Sequence, residues 1–174
     1  MAFKELLPQK IGPIEGIADT GLIVIAHFKN PARDEAFNFL REALAWKRRI
    51  LIPVSAIIGA YHIMTKYLGV SEVSACKALT KTLETRSPAF YEDISVDSAL
   101  DALTYALAYK IESWDGYIIY LARIHGAPVI YSVDGELARK VREVAVLNPI
   151  PANVFERYNR WMEEKLNFRS KPSP

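Results

Sequence analysis

Three aspartates carry the chemistry to be expected of this sequence: Asp19 in Gly16-Ile17-Ala18-Asp19-Thr20-Gly21, Asp115 in Ser113-Trp114-Asp115-Gly116-Tyr117, and Asp134 in Ser132-Val133-Asp134-Gly135. Each falls where an apolar segment gives way to a helix, or just inside a helix start. In a parallel sheet those positions share the carboxyl edge. Carboxylates dispersed in sequence but gathered at that edge suit a hard divalent cation, Mg²⁺ or Mn²⁺, held against a phosphate. Each also has an ordinary explanation. Asp19 can cap the following helix, Asp115 is early enough in its helix to favour the dipole, and Asp134 suits a strand-to-helix turn. Their common placement favours the metal role.

Other residues could assist. Thr20 and Ser132 offer hydroxyls to orient a carboxylate or a bound water, although hydroxyls cap helices and turns more often. Glu112 lies three residues before Asp115 and could lean toward it, and His62 is a candidate substitute ligand. The basic clusters Lys47-Arg48-Arg49 and Arg139-Lys140-Arg142 are candidate contacts to nucleic-acid phosphate, with solubilising charge as the default. Asp97 and Asp101 are spaced i, i+4 on one helix and read as a solvated face.

The elements that must position these residues alternate along the chain. Residues 14–18 form a short apolar segment, and Thr20 to Phe28 continues as a helix with hardly a polar face, so it should be buried. Asn30-Pro31 predicts a capped helix start, with Phe37, Phe39, Leu40, Leu44 and Trp46 as its apolar positions. Ile50 to Val54 predicts a second buried strand, and Ser55 a cap for a helix running toward Gly69. Ser71 should open a helix over 72–86 whose apolar spacing is Val73, Cys76, Leu79 and Leu83. A weak strand at Ala89 to Tyr91 precedes a helix from Ser95 or Val96, with the stripe Leu100, Leu103, Ala106 and Leu107. Ser113 should cap the next helix, Pro128 to Ser132 is a β-branched and aromatic strand, and a helix from Glu136 leads to a last strand near Ala145 to Leu147. A terminal helix over 152–166 follows. The alternation predicts a three-layer α/β/α sandwich with a mainly parallel sheet. Its domain spans 14–166, between an N-terminal extension, 1–13, and a flexible tail, 167–174.

Composition bounds the possibilities. A chain of 174 residues, 51% hydrophobic and 24% charged, suffices for one domain with a full core. Its apolar runs fall short of the roughly 20 residues that a membrane span needs. The start, Met1 to Glu5, has no apolar signal core, so the expected location is cytoplasmic. Cys76, the only cysteine, excludes an internal disulfide and a thiolate metal cluster and is expected to be buried. A net charge of +2 means that any nucleic-acid partner must be met by a local basic surface. The single glutamine, Gln9, hints at a thermophilic source. Aromatic and aliphatic residues in the helices at 31–46 and 72–84 exceed what one small core needs, which predicts a homodimer.

The order of these pieces, from about Ile14 to Phe155, resembles the PIN-domain family, which includes the VapC-type ribonuclease toxins of toxin–antitoxin pairs. Asp19-Thr20 is similar to the Asp-Thr ending the family's opening strand. Trp114 to Ala122 is similar to its helix that begins with an aspartate, and Ile130 to Asp134 to its strand ending in a hydroxyl residue, a spacer and an aspartate. The family's glutamate about six residues beyond a proline like Pro53 has no counterpart: the count lands on Gly59. The resemblance implies Mg²⁺- or Mn²⁺-dependent endoribonuclease chemistry, a dimer, and a small antitoxin as partner. The missing glutamate weakens that implication for activity more than for fold. The alternative is a PIN-like module that has lost catalysis and binds RNA or protein. An aspartyl-phosphate receiver ranks below both, lacking a second acid beside Asp19 and a lysine after the last strand.

Overall fold

A computed structural model describes residues 12–169 of the chain. Five strands, β1 (Gly16–Ala18), β2 (Ile50–Pro53), β3 (Phe90–Tyr91), β4 (Val129–Tyr131) and β5 (Ala145–Leu147), form one sheet in the order β3-β2-β1-β4-β5. Every pairing is parallel, with Ile17 opposite Leu51 and Ile130 and Ala18 opposite Tyr131. β1 is central because both its faces are apolar and it is fully buried. Successive strand residues point to opposite faces. Ala18, Ile50, Ile52 and Tyr131 face one core, and Ile17, Leu51 and Ile130 the other.

The first core is covered by α1 (Thr20–His27), α2 (Arg33–Leu44), α3 (Val54–Lys66), α4 (Glu72–Leu83) and α8 (Ala152–Arg169). The second is covered by α5 (Val96–Tyr109), α6 (Ser113–Ile124) and α7 (Gly135–Lys140). Helix α1 buries Leu22 through Ala26 without interruption, as its lack of a polar face predicts. Among the described residues no helix is long and apolar enough to cross a membrane.

Several local expectations need correction. Asn30 does not cap α2: its amide spans the preceding turn, donating to the carbonyls of Ile25 and Phe28 and accepting from the Ala32 N–H, and the helix starts at Arg33. Pro53 takes the N-cap position expected of Ser55 and leaves it without a side-chain cap, whereas Ser71 and Ser95 cap α4 and α5 as expected. Trp46 lies beyond α2 at φ 54°. Leu79 is core as expected, but Cys76 and Val73 are exposed, because α4 turns Ala75 and Thr82 to the core beside it.

The largest departure is α5. Leu100, Leu103 and Leu107 are 59%, 58% and 82% exposed, and the buried positions are Ser98 and Ala102. The cause is the approach of α6. A Cβ placed on Gly116 would lie 2.1 Å from the carbonyl oxygen of Ala102, so the two backbones touch where both residues are small. Large side chains cannot enter that seam, and the leucines face outward.

Candidate active site

The parallel crossovers bring the ends of β1 and β4 and the start of α6 to one edge. Asp19 follows β1 directly and serves as N-cap of α1. Its Oδ1 accepts from the Thr20 N–H at 2.5 Å, and its Oδ2 accepts from the Ser132 hydroxyl at 2.7 Å. It is 8% exposed. Ser132 stands at the end of β4, and its Oγ also accepts from the Asp134 N–H at 3.0 Å. Asp134 caps α7, its Oδ1 accepting from Glu136 and Leu137. One hydroxyl thus ties the aspartate after the first strand to the one after the fourth.

Asp115 comes from α6. Glu112, not Ser113, occupies the N-cap position, so Asp115 is the third helical residue and its carboxylate is hydrogen-bonded by the Glu112 backbone, half of a capping box. Burial, then the charges of Asp19, Asp134 and Glu112, push its carboxyl up to about 7. Burial also holds Asp19 above the usual carboxylate range. Hydrogen bonds from Ser132, Thr20 and Gly21 draw it back down, and Asp134 adds a push upward. The three aspartates therefore feel one another's charge.

A cavity of about 220 Å³ contains Asp115 and Asp134 together with Glu112, Glu136, Lys110 and Lys140. Gly59 belongs to α3, beside α1. A Cβ there would lie 3.5 Å from Thr20 Cγ2 and 3.9 Å from its Oγ1, ordinary contact distances that leave room for a side chain next to Asp19's neighbour. Among the described residues, no three acidic, histidine or cysteine side chains stand close enough to hold an ion as they are placed. The donor chemistry still fits a hard cation: the candidate ligands at this edge, Asp19, Asp115 and Asp134, all offer carboxylate oxygens, and Asp115 bears the charge cost that a cation would relieve. Asp115 and Asp134, which share the cavity, could hold Mg²⁺ or Mn²⁺, with Asp19 beside them.

The remaining candidates separate. His62 is exposed, well down α3 from the carboxyl edge, and packs edge-on against Tyr67 with centroids 5.7 Å apart. It does not join the acids. Lys47, Arg48 and Arg49 precede β2 and so border the amino edge of the sheet, opposite the site. Arg48 lies over the rings of Phe39 and Tyr131 and donates to the Tyr131 hydroxyl at 2.6 Å and to Glu15 at 3.3 Å, a packing role that the sequence does not disclose. Arg139 and Arg142 line a separate groove beside Val144 to Val146. Only Lys140 of that cluster reaches the acidic cavity. Lys110 and Glu136 also line the cavity and were missed from the sequence; neither has a motif, and Lys110 arrives there through a left-handed backbone turn at φ 54°.

In an open all-parallel α/β sheet, ligand sites lie at the carboxyl ends of the strands, the edge at which these acids stand. Residues 17–143 match the family model of the PIN domain. The chain belongs to the PIN-domain family. No curated protein matches it by sequence. Among solved structures it is similar to PAE2754 from Pyrobaculum aerophilum, at 19% identity and a TM-score of 0.53, covering 86% of this chain and 90% of that one. It is similar also to a toxin–antitoxin complex from Klebsiella pneumoniae, at 20% identity and a TM-score of 0.50 over 77% and 97%. A third is VapC20 of Mycobacterium tuberculosis, described as a toxin that cleaves the sarcin–ricin loop, at 12% identity and a TM-score of 0.54 over 71% and 93%. These likenesses establish the fold.

Proposed function

We propose that this protein is a Mg²⁺- or Mn²⁺-dependent endoribonuclease of the VapC kind, the toxin of a toxin–antitoxin pair, working with a site weakened at Gly59. The observation that carries this reading is the convergence of Asp19, Asp115 and Asp134 on one sheet edge, where Asp115 feels the charge of both others. Family membership and the descriptions of the similar structures agree with it. A bound divalent cation would counter the charge developing on the phosphate and lower the pKa of the attacking water. Asp115 and Asp134 would bind it. Ser132 fixes the orientation of Asp19 through its hydroxyl, and Thr20 supplies the N–H that holds the other oxygen.

Two partner readings follow. Leu100, Leu103 and Leu107, with Val96 at 78% exposure, form an apolar stripe along α5 that a second copy of the chain would cover. A cavity of about 720 Å³ among α1, α2 and α4 has an apolar floor and a rim of Arg33, Arg41, Lys77 and Lys81, which suits an acidic helix of an antitoxin.

The test is cleavage of single-stranded RNA with and without Mn²⁺, beside the Asp19→Asn variant. We expect slow, metal-dependent cleavage that Asp19→Asn abolishes. Cleavage that survives that substitution or a chelator overturns the reading. A protein that binds RNA but never cuts it supports the alternative that Gly59 favours, a PIN-like binding module.

A further inference from the structure

The acids at the carboxyl edge repel a polyanion, so an RNA strand needs attraction from beside them. Lys110 and Lys140 supply cations within the same cavity as Asp115 and Asp134. The two lysines are coupled: Lys140 Nζ donates to the Lys110 carbonyl at 2.5 Å and pairs with Glu136 at 2.7 Å. Lys110 ends α5 at φ 54°, the position where glycine is the unstrained choice, and a lysine there retains a charge at the cavity.

The surface continues from Lys110 along the α5–α6 seam. Tyr109 and Tyr105, one helical turn apart, stack with centroids 6.5 Å apart and planes 17° from parallel. Arg123 of α6 lies 5.5 Å from the Tyr105 ring centroid and donates to its hydroxyl at 2.6 Å. Glu143 receives the Tyr109 hydroxyl and pairs with Arg123 at 3.5 Å, which keeps the strip in register. Both tyrosines are half-buried against the second core, each with part of its side chain open to solvent. Arg123 is eight residues beyond Asp115 on the same helix, so the strip extends about 12 Å from the acids.

We propose that Lys110, Lys140, Tyr109, Tyr105 and Arg123 form a track for single-stranded RNA that leads into the acidic cavity. The lysines and Arg123 neutralise phosphates, and the tyrosines stack unpaired bases. This proposal rests on the nuclease reading above. Cations next to stacked rings match the two features of an unpaired strand, a charged backbone and flat bases. A duplex, whose bases are already stacked on one another, offers nothing to the tyrosines.

The test uses the full chain carrying Asp19→Asn, with Mg²⁺ and a fluorescent single-stranded oligoribonucleotide, read by anisotropy. Tyr105→Leu with Tyr109→Leu keeps apolar bulk in the seam but removes the rings, and should weaken binding about ten-fold. An oligonucleotide with abasic positions should bind the parent less tightly and the double variant no less than the intact strand does. Lys110→Gly separates function from structure, because it relieves the strained turn while removing a charge. Its melting temperature should hold or rise, and the slope of log affinity against log salt should fall by about 0.7. Lys66→Ala, on α3, serves as the control for loss of charge alone. Folded variants that bind as the parent does, with an unchanged salt slope, overturn the track. If the parent fails to bind and the unsubstituted protein fails to cut, the nuclease reading falls with it; if the unsubstituted protein cuts and the parent binds, only the track is at stake.

Discussion

At the scale of single residues, Gly59 and Asp115 make opposite demands. A Cβ on Gly59 would meet Thr20 at ordinary contact distance, so Gly59→Glu meets no clash at Cβ and would add a carboxylate to the proposed site. Replacing a helical glycine should also stabilise α3 by up to about 1 kcal/mol. The expected result is faster Mn²⁺-dependent RNA cleavage with no loss of melting temperature; equal or slower cleavage would count against Gly59 as a gap in the proposed site. Asp115 sets the pH response. Its carboxyl is raised to about 7, so between the ordinary aspartate range and about 7 the folded chain holds a proton that the unfolded chain has released. Stability of the metal-free protein should therefore fall as the pH rises through that interval. Thermal melts at pH 5 and pH 8 check this, and Mn²⁺ should recover part of the loss at pH 8. The placement of the aspartates was legible because Asp19 and Asp134 each follow an apolar strand and Asp115 stands in the first turn of a helix, in that order along the chain. Lys110 was not, since nothing local in the sequence signals a left-handed turn at a lysine.

At the scale of elements, strands could be read closely, because burial leaves β1, β2 and β4 as unbroken apolar runs, whereas caps could be read only in part: Ser71 and Ser95 cap their helices, but Asn30, Ser55 and Ser113 do not. The facing of α4 and α5 could not. Helical periodicity identifies an apolar stripe but not which stripe meets the core, and on α5 the choice fell to Ala102 and Gly116, whose smallness permits a closer backbone approach than leucines allow. Gly116→Ala tests that seam. With backbone atoms as the obstacle, the helices must separate, at an expected cost of about 1–3 kcal/mol by denaturant unfolding. Because Asp115 is the adjacent residue, RNA cleavage should drop more than stability alone explains. Near-native unfolding and activity would mean that α5 yields easily.

At the scale of the whole molecule, the outward stripe of α5 is the feature that a single copy leaves unsatisfied. Large exposed apolar patches mark interaction surfaces, and closed two-fold pairing is the commonest solution. Leu103→Glu with Leu107→Glu should convert a dimer at tens of micromolar to a monomer by light scattering without lowering the melting temperature of the monomer. A parent that is already monomeric there would dismiss the pairing. The expected excess of apolar residues in the helices at 31–46 and 72–84 is only partly visible, as Phe37 and Val73 are exposed while Phe39, Leu40 and Leu79 are core.

The hydroxyl contact that joins Ser132 to Asp19 spans 113 residues of chain. On a translating ribosome that separation is an interval of time. At ~5–20 residues per second, Asp19 emerges on the order of ten seconds before Ser132 can reach it. Until then β1 has an open edge where β4 will pair, and Asp134 does not yet exist. If the proposed function holds, a centre built this way stays unassembled through most of its own synthesis, so the message being read does not meet that chain's finished site until the chain is nearly made.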